Sequence, residues 1–110
     1  MKILSIFIND QVVYEFDRDT HIEEQKLVFL DNMDADMEKG IKVQGELILS
    51  PDRQQRARFV VMNLIKALQQ ENNAIISASC AYLVNRQPAL LEVHINDYES
   101  SINITFVDEH

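Results

Sequence analysis

A chain of 110 residues with 46% hydrophobic content is long enough to build one core without disulfides or a structural metal. A formal charge of −8, from 18 acidic and 10 basic side chains, sets it against nucleic acid and anionic membrane surfaces on average. The apolar run ILSIFI falls far short of the roughly 20 residues that span a bilayer, so neither nucleic acid nor membrane is an expected partner.

Two glycines, two prolines and no low-complexity tract leave no linker, so residues 1–110 are expected to form a single globular domain. The lone cysteine, Cys80, has no internal disulfide partner, and no charged leader with an apolar run and cleavage site is visible. Cytoplasmic placement is the expectation.

Residues 2–16, KILSIFINDQVVYEF, are rich in β-branched and aromatic residues on both sides of Asn9-Asp10, which predicts a β-hairpin. Leu4, Ile6 and Ile8 share one face of its first strand and Ile3 and Phe7 the other, so that strand is expected to be central or at an interface. Thr20-His21-Ile22-Glu23 has the spacing of a capping box, and Gly40 supplies a left-handed stop, which together predict a helix over about residues 21–39.

On that helix Ile22, Phe29, Leu30, Met33 and Met37 form the expected core stripe, and Glu24, Asp31, Asp34 and Glu38 gather opposite as an acidic face. An EF-hand reading from Asp34 fails, because Lys39 stands where glycine is needed and Gly45 where the closing glutamate is needed. The acidic face therefore reads as solvated, or as a docking surface for a basic partner or for arginines of this chain.

IKVQGELIL, residues 41–49, fits a short edge strand or an irregular loop around Gly45. Ser50-Pro51-Asp52 then starts a second helix running to about Gln70, with Ser50 as N-cap and Pro51 at the first helical position. Ala57, Val60, Val61, Leu64, Ile65 and Leu68 face its core side. Phe59 and Met62 lie on the polar side with Lys66, a candidate interaction patch. Arg53 and Arg56 oppose the helix dipole and ask for a carboxylate or a bound anion, although no Gly-rich phosphate loop accompanies them.

An asparagine of Glu71-Asn72-Asn73 can cap a third helix to about Arg86, which Gln87-Pro88 ends. That helix is apolar all round, and Ala74, Ala78 and Ala81 align so that a neighbour can approach closely. Period-two alternation returns at Leu91, Val93 and Ile95 and at Ile102, Ile104 and Phe106, a second hairpin.

The predicted order is ββ-α-(β)-α-α-ββ, an α+β fold in which an antiparallel sheet of two hairpins carries about three helices on one face. No catalytic set, nucleotide fingerprint, cofactor motif or metal-ligand spacing emerges. Glu92 and His94 share a strand face without a third ligand, and Cys80 lies among apolar neighbours far from a base. The function these features favour is protein–protein interaction without catalysis, as a homodimer or an adaptor or regulatory module. The alternatives are an anion- or ligand-binding domain or enzyme using Arg53 or Arg56, and an acidic mimic of nucleic acid.

Overall fold

The computed structural model describes residues 3–19, 22–43, 45–98 and 101–109. The fold is α+β, with two compact units, one drawn from residues 1–20 and 87–110 and the other from residues 21–86.

The first unit is a four-stranded sheet. Its strands are β1 (Ile3–Ile8) and β2 (Gln11–Asp17) from the N-terminal part, with β5 (Leu90–Tyr98) and β6 (Ser101–Asp108) from the C-terminal part. Both expected hairpins form, and they lie in the order β2-β1-β5-β6. Asn9 and Asp10 both take positive φ, 50° and 69°, which gives the two-residue turn the twist that antiparallel strands require.

The hairpins join through β1 and β5, which run parallel, so the sheet is mixed where an antiparallel one was expected. Alternation in a sequence reports which face a residue takes and is silent on the direction of the neighbouring strand. Side-chain hydrogen bonding fixes this junction. The Asp97 backbone N–H donates to Asn9 Oδ1 at 2.9 Å, and Asn9 Nδ2 donates to the Asp97 carbonyl at 3.3 Å. The two Ile-Asn-Asp triplets thus stand side by side, with Ile8 opposite Ile95.

β1 is central, as its two apolar faces demand. Leu4, Ile6, Val93, Ile95 and Ile104 are buried on one face of the sheet. Phe7 and His94 pair across the other, their rings stacked with centroids 4.4 Å apart.

The second unit holds α1 (Glu24–Glu38), the hairpin β3 (Ile41–Val43) and β4 (Glu46–Ile48), α2 (Arg53–Gln69) and α3 (Asn73–Arg86). Half of the predicted capping box, Thr20, lies outside the described residues, and Glu23 is the N-cap without a side-chain hydrogen bond. Gly40 follows α1 at φ 129°, a conformation that disfavours a Cβ, and an alanine there would also stand 3.1 Å from Leu49 Cδ2. Ile41–Val43 and Glu46–Ile48 pair as a short antiparallel hairpin, with Gly45 at φ 85° before its second strand.

The start of α2 is two positions later than expected. Asp52, not Ser50, is the N-cap, because its carboxylate accepts the Gln55 N–H at 2.8 Å while Gln55 Oε1 accepts the Asp52 N–H at 2.9 Å. Asn72 caps α3, its Oδ1 accepting the Ile75 N–H at 3.3 Å. Buried Leu30, Met37, Val60, Val61, Leu64, Ile76, Cys80 and Leu83 make up much of this unit's core. No helix among the described residues is long and apolar enough to cross a membrane.

Candidate functional site

The acidic stripe of α1 is tied to arginines of its own unit. Asp34 Oδ1 accepts Arg56 Nη1 at 3.1 Å, Asp34 Oδ2 accepts Arg86 Nε at 2.9 Å, and the Tyr82 hydroxyl donates to Asp34 Oδ1. Arg86 Nη2 reaches Asp31 at 2.7 Å, and Arg56 Nη2 lies 3.9 Å from Glu38. Asp31, Asp34 and Glu38 project together because i, i+3 and i+7 share a helix face, and Tyr82 and Arg86 stand one turn apart on α3. The Arg86 guanidinium also lies 5.7 Å from the centre of the Tyr82 ring.

Burial disfavours the ionised form of Asp34, yet the hydrogen bonds from Tyr82, Arg86 and Arg56 outweigh it and hold the carboxyl below its ordinary value. Burial and the hydrogen bond to Asp34 push the Tyr82 hydroxyl up. The cluster therefore holds an ionised acid between two cations, a pin across α1, α2 and α3. Glu24 is exposed and outside it.

Of the two arginines expected to meet an anion, Arg56 takes this internal carboxylate and also donates from Nε to the Pro51 carbonyl at 3.1 Å. Arg53 is exposed one turn earlier. Tyr82 and Arg86 were not foreseen as members. Their one-turn spacing at the end of α3 is visible in the sequence, but nothing there says that this edge of α3 meets α1.

The expected interaction patch is less open than its position on the helix suggested. Phe59 and Met62 are half-buried, Lys66 is exposed, and Phe59 lines a small cavity with Met33 and Met37 of α1. The most open apolar side chains lie elsewhere, and Phe29, assigned to the core stripe, is 52% exposed. The correction is geometric: Phe29 sits at the margin of the stripe, and the buried side of α1 centres on Leu30 and Met37.

Phe29 instead walls an apolar groove of α1 and α3. One stretch, about 340 Å³, is lined by Lys26, Phe29, Leu30, Ala74, Ser77, Ala78 and Ala81. A second, about 440 Å³, shares Phe29, Ala74 and Ala78 and extends past Met33, Asn63, Lys66 and Ile75. The small residues of α3 that were expected to admit a neighbour form its floor. Lys26 and Lys66 are the charged residues of the lining, and no carboxylate lines either stretch.

Two further candidates are structural. His94 Nε2 and Glu92 Oε1 lie 2.8 Å apart, and among the described residues no group of three or more potential ligands assembles around them or elsewhere. Cys80 is fully buried, and burial pushes its thiol up to about 12. A thiol-disulfide exchange reagent is therefore expected to label native Cys80 at least about a hundredfold more slowly than the urea-unfolded chain. Equal rates in the two states would contradict this placement. No family model, characterised protein or solved structure matches the chain.

Proposed function

We propose that this chain is a non-catalytic, cytoplasmic protein that works by binding protein, and that the α1–α3 groove is its docking surface. The observation that carries the reading is the combination of an apolar floor of small residues with an exposed aromatic wall, Phe29. Exposed Phe29 and Ile75 beside one concave surface are more than the scattered hydrophobes that any protein surface tolerates. Small residues under a groove let a partner's side chains or backbone come close, and this gives packing rather than chemistry.

An anion-binding role draws less support, since Arg56 already satisfies Asp34. The nucleic-acid mimic also loses ground, because most of the acids it would present are held by Arg56 and Arg86.

The test is a paired measurement on wild type and Phe29→Glu. Self-association is followed by light scattering, and retention from a native lysate by quantitative capture. Wild type is expected to associate, with itself or with a retained protein, and Phe29→Glu to lose that association while keeping its helical content. Association unchanged by Phe29→Glu, or none in either measurement, would overturn the proposal.

A further inference from the structure

The four-stranded sheet leaves hydrogen-bonding groups open along one rim. β2 is an edge strand, with β1 as its neighbour. The Asn9 N–H donates to the Ile95 carbonyl, and backbone groups alternate sides along a strand, so odd positions of β1 turn to β5 and even ones to β2. Ile6 with Tyr14 and Leu4 with Phe16 are therefore the bonded pairs of the β1–β2 ladder. Glu15 and Asp17 fall at the alternate positions and turn their backbone N–H and C=O groups outward, where no described residue bonds them. The bulge between Val12 and Tyr14 bounds this open stretch on its N-terminal side.

The rim is also acidic. Glu15 and Asp17 stand opposite Ser5 and Ile3, so they share one face of the sheet, and both are exposed. No basic residue occurs in β2. Arg18, the next residue, does not offset the acids at the rim, because its side chain is only 7% exposed and donates to the Pro88 carbonyl. A two-fold pairing of two such edges would gather the acids of both copies on one face, and charge opposes it. An extended segment with Lys or Arg at alternate positions sets its cations on that same face, beside Glu15 and Asp17, while its backbone takes the open donors and acceptors. The opposite rim, β6, has no charged residue from Ser101 to Val107 and selects no partner by charge.

We propose that the outer edge of β2 at Glu15–Asp17 is a second docking site, where an extended basic segment of a partner protein adds to the sheet as a further strand. The site is independent of the α1–α3 groove. Backbone hydrogen bonds supply the attachment, and the two carboxylates supply the choice of partner.

The experiment is a titration of the full chain, followed by NMR, with a capped peptide of alternating lysine and valine about six residues long. Two controls accompany it: the same peptide with glutamate for lysine, and the lysine–valine peptide N-methylated at alternate backbone nitrogens, which keeps its charge and loses its donors. The lysine–valine peptide is expected to slow exchange of the Glu15 and Asp17 amides at least about tenfold, and neither control to do so. Glu15→Lys is expected to raise the dissociation constant of that peptide at least about threefold. Where circular dichroism shows that Glu15→Lys disturbs the sheet, Glu15→Gln removes the charge alone and is expected to weaken binding in the same direction. No slowing at Glu15 and Asp17 at millimolar peptide overturns the proposal, as does slowing confined to β6. Equal slowing by the N-methylated peptide, or affinity unchanged in both Glu15 variants, overturns it as well.

Discussion

Asp34→Ala is expected to cost about 2–4 kcal/mol of folding stability, measured by urea unfolding near pH 7. The substitution leaves two guanidinium groups and the Tyr82 hydroxyl without their shared acceptor, and the Asp34 side chain is only 24% exposed, so water replaces it incompletely. Arg56 keeps the Pro51 carbonyl and Arg86 keeps Asp31, which is why the cost stays below that of a fully buried charge. A loss under about 0.5 kcal/mol would mean that the cluster behaves as an exposed ion pair.

The same cluster sets a pH window. The Asp34 carboxyl is held below its ordinary value of 3.8, so the unfolded chain takes up its proton first as pH falls. The stability that Asp34 contributes is then fully present above the unfolded value and is lost as pH drops through the folded one. Tyr82 works at the other end. Its hydroxyl is raised from 10.0, so its contribution is complete below that value and is lost as pH rises through the folded one. The gap between wild type and Asp34→Ala should therefore be constant from pH 6 to 8 and narrow in acid. A gap that widened in acid would contradict the assignment.

Leu83→Ala is the second large effect, expected at about 2–5 kcal/mol through lost burial and a residual cavity. Leu83 is fully buried in the last turn of α3, preceded by buried Cys80, Ala81 and Tyr82. Its informative counterpart is Phe29→Ser, also a deletion of a large apolar side chain from a helix, which should change the stability of the dilute chain by no more than about 0.5 kcal/mol. The pair separates side chains that hold the fold from one that the fold leaves open. A costly Phe29→Ser would return that residue to the core and leave the groove without its wall.

Much of the fold is legible in the sequence for local reasons. Turn chemistry at Asn9-Asp10, the stop at Gly40, the cap at Asn72 and period-two alternation before and after residues 99–100 act over a few residues, and each is written out in the chain. The start of α2 slips by two positions because Ser50 and Asp52 are both competent caps, and only the reciprocal bond to Gln55 decides between them. The parallel seam of β1 and β5 is illegible, since its partners lie 87 positions apart and no local signal marks strand direction.

The site divides in the same way. The spacing of Asp31, Asp34 and Glu38 gives one helix face. Its partners, Arg56, Tyr82 and Arg86, stand on other helices at separations of 22, 48 and 52 residues from Asp34, and periodicity does not reach that far. Phe29 is the instructive miss. A helical wheel places it in the core stripe, but which part of a broad apolar side meets a neighbour is decided by where α2 and α3 pack.

The most direct test of the groove as an association surface uses the absence of tryptophan from the chain. Phe29→Trp places the sole indole on the groove wall, and its fluorescence is recorded from dilute to concentrated protein. The expected result is a water-exposed emission at high dilution that shifts to the blue and becomes shielded from a soluble quencher as concentration rises. An emission that stays water-exposed and equally quenched across the whole range would contradict it.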